Sequence, residues 1–255
     1  MVKKLVNNIS SVGIIYRETD PSQIFLEIKD DGLPLKAFRR HLCPIGGNWI
    51  GEAARQDMDT WQTFCRELME ELTLENADVS TLELSLLGFK PRGEFYRTSN
   101  NGLIPSDAQK LKFDFFKKFA VSLGESFGDY VINIPKTVLD QADPGNTREG
   151  FSTLTSYWLV PVLEDWWEIL IDLQNKFGNL SNESITVITS LEEIVKNGTK
   201  FAFGHDLAFQ DFFLGRGFTL ARQLPLVKSI THKRVGRAWD SYEEYLEAYD
   251  VARMP

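Results

Sequence analysis

The strongest constraint on the fold is an alternation of short β-rich runs with longer segments of helical periodicity. The β-rich runs contain many β-branched and aromatic residues, which favour strands, and they lie at 11–18, 23–30, 41–49, 82–89, 130–135, 155–163 and 184–189. The segments with a helical pattern lie at 59–72, 106–122, 164–177, 190–198, 205–215 and 241–249. Strands and helices mixed in this way predict an α+β fold built on a mixed sheet.

Turn and cap residues define several of these elements locally. The sequence TDPS lies between the first two β-rich runs and predicts a hairpin. Ser190 predicts the start of a helix that Gly198 ends. The polar segment 141–150, rich in Asp, Pro and Gly, predicts a loop.

Length and composition limit the class of protein. The chain has 255 residues, of which 43% are apolar, which is enough for a single domain over 1–255. A net charge of -8 disfavours a nucleic-acid polymer as partner. Cys43 and Cys65 are the two cysteines, so a secreted disulfide scaffold is not expected. The sequence shows neither a signal peptide nor an apolar stretch of about 18 residues, which predicts a cytoplasmic protein that does not enter a membrane.

The helix predicted at 59–72 has one apolar face. Asp59 with Gln62 predicts a capping box at its start, and Thr60 is an alternative cap. The apolar residues recur with helical spacing and predict the face toward the core; they are Trp61, Phe64, Cys65, Leu68 and Leu72. Cys65 on this face is predicted to be a small buried residue rather than a nucleophile.

A second face of the same helix is acidic. Glu67, Glu70 and Glu71 are spaced so that their side chains project together. Arg66 lies four residues before Glu70 and can pair with it. Three carboxylates within one turn suit a hard divalent cation such as Mg²⁺, which prefers oxygen ligands. The alternative is a solvated helix face, the commonest interpretation of a charge cluster.

The segment RELMEELTL, 66–74, resembles the signature box of the Nudix hydrolase family, usually written G-x5-E-x7-R-E-U-x-E-E-x-G-U with U aliphatic. PIGG resembles the turn that opens the box, with Gly47 as its first glycine, and Thr73 stands where the family has glycine. The preceding loop is about five residues longer than in the family. The family's first glutamate falls on Met58, with Asp57 or Asp59 as substitutes after a small shift.

The resemblance extends to the flanking segments and implies a fold. It implies an α/β/α sandwich of the Nudix type with a mixed β-sheet. Relative to the family, the chain has an insertion at about 91–150 and a C-terminal extension at about 225–255, which the pattern predicts to be helical.

The same resemblance implies a metal-dependent hydrolase that cleaves a diphosphate bond in a nucleoside diphosphate linked to another moiety. Glu67, Glu70 and Glu71 would hold Mg²⁺ or Mn²⁺, with a backbone carbonyl at Gly46 or Gly47 as a further ligand. Arg66 would orient the carboxylates. The general base varies in position in the family; the candidates here are Glu149, Glu164, Asp165 and Glu168.

Several alternatives remain open from the sequence. The lengthened loop and the missing glutamate also fit a Nudix-fold protein that binds a small nucleotide or regulates without catalysis. The C-terminal helix is predicted to begin with a capping box at Ser241 and Glu244. Its apolar stripe can pack on its own domain or on a second subunit in a homodimer; it comprises Tyr242, Tyr245, Leu246 and Tyr249. The three histidines lack metal-ligand spacing and are predicted to be structural or exposed; they are His41, His205 and His232.

Overall fold

The computed structural model describes residues 4–49, 57–71, 125–177, 180–181 and 184–251. The strand predicted at 82–89 and the helix predicted at 106–122 lie outside the described residues. The side chains of five helical residues are also outside the description; they are Met69, Glu70, Leu173, Lys176 and Phe177.

Ten strands lie within the described residues: β1 Lys4–Val6, β2 Asn8–Arg17, β3 Gln23–Ile28, β4 Leu42–Cys43, β5 Ile45–Asn48, β6 Ser126–Ile134, β7 Phe151–Val162, β8 Ile185–Ser190, β9 Thr231–Gly236 and β10 Tyr249–Val251. Six α-helices accompany them: α1 Thr60–Glu71, α2 Lys136–Ala142, α3 Glu164–Phe177, α4 Leu191–Asn197, α5 Asp206–Gly215 and α6 Tyr242–Ala248. The predicted mixed α+β character is therefore confirmed.

Eight of the described strands form one mixed sheet. Its main path runs β4-β3-β2-β7-β6-β9, while β5 also pairs with β2 and β8 with β3. The long pair β2–β7 is parallel, and the other pairs in this sheet are antiparallel. The predicted hairpin is confirmed, because Ile15 of β2 lies opposite Phe25 of β3.

The main sheet is covered on both faces. Adjacent residues of β2 point to opposite sides, so that Ile14 belongs to one buried apolar cluster and Ile15 to another. Phe64 and Leu68 of α1 and Trp167 of α3 pack in the second cluster. The first cluster contains residues of α4 and α5. The result is a three-layer arrangement of helices, sheet and helices.

The segment 225–251 is less helical than the sequence predicts. It contains two strands besides α6: β9 lies at the edge of the main sheet beside β6, and β10 pairs in parallel with β1. The tyrosine stripe packs on its own chain, where Tyr242, Tyr245 and Tyr249 are buried with Val6 and Ile9.

The predicted capping box at Ser241 is wrong. The Ser241 side chain makes no cap hydrogen bond. The reason is that the Glu244 carboxylate accepts from the amide of Asp240 instead, at 3.3 Å, one residue earlier than a capping box requires.

The described part of the predicted insertion, 125–150, is integral to the sheet. Strand β6 pairs with β7 on one side and with β9 on the other. Among the described residues, no helix is both long enough and apolar enough to cross a membrane.

Candidate functional site

A cavity of about 510 Å³ lies over the face of the sheet where β5, β2 and β7 are neighbours. Alternate residues of β2 and β7 line it, because alternate side chains of a strand share one face; they are Asn8, Ser10, Val12, Phe151, Thr153 and Thr155. The hydroxyl groups of Ser10 and Thr155 are 2.8 Å apart, and that of Thr153 lies 3.3 Å from Ser10. The cavity therefore has a hydrogen-bonding floor within an apolar sheet.

Helix α1 reaches this cavity because its start and its inner face are both fixed. The Gln62 amide donates to Asp59 Oδ1 at 2.8 Å, which confirms Asp59 as the cap. Phe64 is fully buried against Gly13 of β2, where an added Cβ would lie 2.5 Å from the Phe64 ring. Cys65 is half-buried and packs at the margin of the same cluster. Leu72 lies outside the described residues.

Glu71, a predicted metal ligand, is held by a backbone amide. Gly46 donates its N–H to Glu71 Oε2 at 3.0 Å. Gly46 has φ +137°, and a Cβ there would lie 2.2 Å from the Ser11 carbonyl oxygen. Glycine is therefore required for β5 to present this amide.

Glu67, the second predicted ligand, lies against Gly47. A Cβ at Gly47 would be 2.3 Å from Glu67 Oε2, so the carboxylate occupies the space that a side chain would fill. Both residues line the cavity. Glu70, the third predicted ligand, belongs to α1, but its side chain lies outside the described residues.

Arg66 is bonded to Glu67, whereas the sequence spacing predicted a pair with Glu70, whose side chain lies outside the described residues. Its Nη1 donates to Glu67 Oε1 at 2.8 Å, its Nε to Asp57 Oδ2 at 2.9 Å and its Nη2 to the Asn48 carbonyl at 3.0 Å. Burial disfavours the charge of Arg66, but the hydrogen bond with Asp57 and the charges of Asp57 and Glu67 outweigh it and raise the pKa of Arg66. Asp57 thus supplies an acidic partner for Arg66, whereas Met58, the position aligned with the family glutamate, is exposed.

Two charged residues beside Glu71 were not predicted from the sequence. Glu27 of β3 is completely buried, and Lys29 Nζ donates to its Oε2 at 2.9 Å. The same ammonium lies 4.0 Å from Glu71 Oε1. Glu27 Oε1 is buried without a hydrogen-bond partner among the described residues. An acid within the apolar run QIFLEI was the one sequence signal for this site.

The site carries excess negative charge. Burial raises the pKa of Glu71 well above its usual range, and the nearby carboxylate of Glu27 adds to this effect, while Lys29 and the Gly46 amide oppose it. Within the described ion-pair cluster, four carboxylates stand against two cations, which leaves two formal negative charges when all four are ionised; Arg148, elsewhere in the lining, is a further cation. The four carboxylates are Glu27, Asp57, Glu67 and Glu71, and the cations are Lys29 and Arg66.

The donor chemistry fits a hard divalent cation. Carboxylate oxygens and backbone carbonyls are ligands that Mg²⁺ prefers, and one such ion would balance the excess charge. The glycines predicted to form a turn lie within strand β5. The described side chains nevertheless include no group of three or more His, Cys, Asp or Glu placed to hold a metal. Glu67 and Glu71 are two of the three predicted carboxylate ligands.

The predicted general-base candidates lie away from the cavity lining. Glu164 and Glu168 pair with Arg17 instead. Glu149 is largely exposed and lies 4.0 Å from Lys136. Asp165 is likewise not among the lining residues, and the identity of a general base stays a prediction.

His205 also lines the cavity. The residue is 5% exposed, and its Nδ1 lies 2.6 Å from the Tyr157 hydroxyl. Burial lowers the pKa of His205 to about 3, so the ring is neutral. His41 and His232 bond to backbone carbonyls at 2.9 and 2.7 Å, as structural residues do. The alternate small polar residues of β2 and β7 were the sequence signal for a cavity.

Comparison of the chain with protein-family models, with curated proteins and with solved structures found no match. The chemistry of the cavity is therefore inferred from its own residues and from the resemblance of the acidic helix to the Nudix box.

Proposed function

We propose that the protein is a metal-dependent pyrophosphohydrolase that cleaves a diphosphate bond in a nucleoside diphosphate linked to another moiety. The observation that supports this most strongly is the position of Glu67 and Glu71 beside the paired glycines of β5 on one cavity, under an excess of negative charge. The match of 66–74 to the Nudix box supplies the class of reaction.

The residues that would hold Mg²⁺ or Mn²⁺ are Glu67, Glu71 and, by prediction, Glu70, with the Gly47 carbonyl as a further ligand. When bound, the ion would neutralise the diphosphate, lower the pKa of a bound water and stabilise charge on the leaving oxygen. Arg66 keeps Glu67 aimed at the cavity, and the Gly46 amide does the same for Glu71.

Other residues of the cavity provide contacts for the remainder of the substrate. The hydroxyl groups of Ser10, Thr153 and Thr155 supply hydrogen bonds along the floor. Arg148 belongs to the lining and provides a positive charge for a phosphate oxygen. Lys29 holds Glu27 in place through an ion pair of 2.9 Å.

The experiment is a screen of nucleoside diphosphate derivatives with Mg²⁺ or Mn²⁺, followed by analysis of phosphorylated products. Replacing Glu67 or Glu71 by Gln is expected to lower turnover by at least about 100-fold, since metal stabilisation of the transition state is worth several kcal/mol. Glu247→Gln, an exposed acid on α6, is the matched control and should keep full activity. Full turnover in the Glu71→Gln variant would exclude the proposed mechanism.

A second candidate is a nucleotide-binding protein without catalysis. The observation in its favour is Lys29, whose ammonium lies 4.0 Å from Glu71 and thus supplies a cation from the protein itself. This candidate requires nucleotide binding that is independent of divalent metal and gives no products in the same screen.

A further inference from the structure

The cavity has two chemically different sides that lie at opposite ends of one transverse row of residues. Gly46, Val12 and Tyr157 lie directly opposite one another on the adjacent strands β5, β2 and β7. Two interstrand spacings of about 4.8 Å place the ends of this row about 10 Å apart. Glu71 is bonded to the Gly46 end, and His205 is bonded to the Tyr157 end.

His205 presents a hydrogen-bond donor to the cavity. The Tyr157 side chain is fully buried, and burial raises the pKa of its hydroxyl well above the usual range, so the hydroxyl keeps its proton. Among the described residues, His205 Nδ1 is the acceptor available to that proton. Tyr157 therefore donates to Nδ1, and the neutral imidazole carries its own proton on Nε2.

The Nε2–H group of His205 has no hydrogen-bond partner among the described residues, although 95% of the residue is buried. The ring lines the cavity. His205 Nε2 is not among the described polar atoms that are fully buried without a partner, so its N–H opens onto the cavity, where a ligand acceptor can take the place of water. This is a property expected of a ligand-binding position.

Phe203, two residues earlier, provides an aromatic surface beside this donor. Its backbone adopts φ +51°, a left-handed conformation that is unfavourable for a bulky residue. Such strain is typical of ligand-contacting positions. The Phe203 ring is packed from behind by Phe38, with centroids 4.6 Å apart, and it lines the cavity together with Phe151.

We propose that this end of the cavity, formed by Phe151, Phe203 and His205, binds a planar heteroaromatic ring that carries an acceptor oxygen or nitrogen. Phe203 and Phe151 contact the ring, and His205 Nε2–H donates to its acceptor. The proposal deepens the proposed function and rests on it for the chemistry at the acidic end. The ring end itself requires no metal.

The test uses the full chain without divalent metal and five probes: adenosine, guanosine, cytidine, uridine and, as a ring-free control, ribose. Binding is measured by NMR titration. Nucleosides are expected to bind more tightly than ribose, and Phe203→Leu is expected to weaken the nucleosides about tenfold, since stacking on one aromatic side chain is worth that much or more. Phe203→Tyr keeps an aromatic ring and still places a bulky residue in the left-handed conformation, so it should retain binding.

A matched pair of variants separates recognition from structure at His205. Gln places its amide nitrogen where Nε2 lies, whereas Asn places its carbonyl oxygen where Nδ1 lies. We expect His205→Asn to bind the preferred nucleoside about three- to tenfold more weakly than His205→Gln. A purely structural role predicts the reverse order, because Asn preserves the partner of Tyr157. Thermal melting of both variants identifies any loss of fold.

The outcomes distinguish this inference from the proposed function. Nucleosides that bind no better than ribose, or binding that is unchanged in Phe203→Leu, would overturn the ring-binding proposal even if diphosphate hydrolysis is found. If nucleosides bind with the predicted variant order but no metal supports hydrolysis, the ring-binding proposal is upheld and the hydrolase proposal is excluded.

Discussion

Gly46 and Gly47 act differently on the two carboxylates that define the candidate site. Gly46 provides an amide that only a residue with φ +137° can direct at Glu71. Gly47 provides empty space, which the Glu67 carboxylate fills. Adjacent glycines in one short strand thus position two acids of the next helix.

The substitution Gly47→Ala tests whether the Glu67 carboxylate needs the space that the absent Cβ of Gly47 leaves. The new Cβ would lie 2.3 Å from Glu67 Oε2, so the carboxylate must move away from Arg66 and from the cavity. We expect Mg²⁺ affinity, measured by calorimetry, to fall about 10- to 100-fold, as for other losses of ligand orientation. Gly145→Ala, in an open loop where the nearest atom is 3.6 Å away, is the control and should change nothing. Equal Mg²⁺ affinity in the two variants would contradict this arrangement.

The substitution Glu71→Gln tests whether the excess negative charge destabilises the metal-free fold. Because the pKa of Glu71 is raised in the fold, the native state binds more protons than the unfolded state above the ordinary Glu range. Wild-type stability must therefore fall as pH rises through that window. The neutral variant should melt higher than wild type in metal-free buffer at neutral pH, by roughly 2–4 °C per kcal/mol relieved.

The advantage of Glu71→Gln should vanish toward acidic pH, where Glu71 is protonated in both states. Added Mg²⁺ should raise the melting temperature of wild type more than that of the variant. A variant that melts below wild type at every pH would mean that the carboxylate stabilises the metal-free fold.

The sequence predicted the residues of this site that are local and missed those that are distant. Arg66, Glu67 and Glu71 lie within one helical turn or two, so helical spacing alone grouped them. Lys29 and His205 reach the cavity from separate parts of the chain. Lys29 is placed by the pairing of β3 with β2 and β4, and His205 follows the bridge between Leu42 and Phe201, more than 100 residues apart. Spacing along the sequence cannot indicate either placement.

At the scale of elements, Phe64 packs α1 closely against Gly13 of β2. The Gly13→Ala substitution would place a Cβ 2.5 Å from the Phe64 ring and push the helix off β2. We expect a loss of about 1–3 kcal/mol of unfolding free energy, measured in urea, as for other overpacked cores. Phe64→Leu alone is destabilising because it leaves a cavity.

The double variant Gly13→Ala with Phe64→Leu should recover much of the loss, since the smaller side chain makes room for the new methyl group. A coupling energy of about 0.5–3 kcal/mol is expected from the cycle. Simple additivity of the two single variants would show that this contact does not position the helix.

Helix α4, which has caps of its own, matched the sequence prediction, whereas strands β9 and β10 were not predicted. Helix α4 begins at the Ser190 capping box and ends at Gly198 in a left-handed conformation. Strands β9 and β10, in contrast, are short and polar, and they become strands only by pairing with β6 and β1. The helical spacing of the tyrosines in the same segment predicts one longer helical extension instead of these two strands.

At the scale of the whole molecule, a buried polar network joins the C-terminal helix to the centre of the sheet. Tyr245 OH of α6 lies 2.9 Å from Ser156 Oγ and donates to Asp129 Oδ2 at 3.2 Å. Ser156 Oγ also donates to Asp129 Oδ1 at 2.7 Å. Tyr242 of the same helix stacks on Trp49, so α6 also contacts the chain that leads from β5.

Asp129 makes this junction sensitive to pH. Its burial raises its pKa to about 6, although the hydrogen bonds from Ser156 and Tyr245 oppose the rise. An unfolded Asp titrates near 3.9, so the native state holds the extra proton between about pH 4 and 6, and stability must fall as pH rises through that range. Two pKa units correspond to about 3 kcal/mol.

Asp129→Asn should remove this dependence without breaking the network. The amide oxygen still accepts from Ser156, and its NH₂ group can donate to Tyr245 if that hydroxyl turns its proton toward Ser156. Urea unfolding at pH 4, 5, 6 and 7 should therefore give a flatter profile for the variant, with the largest gain over wild type at pH 7. Asp250→Asn, an exposed acid in β10, is the control and should follow the wild-type curve. Parallel profiles for Asp129→Asn and wild type would show that Asp129 is ionised in the folded state throughout this range. Ser156 and Tyr245 would then donate to a charged carboxylate rather than to a protonated one.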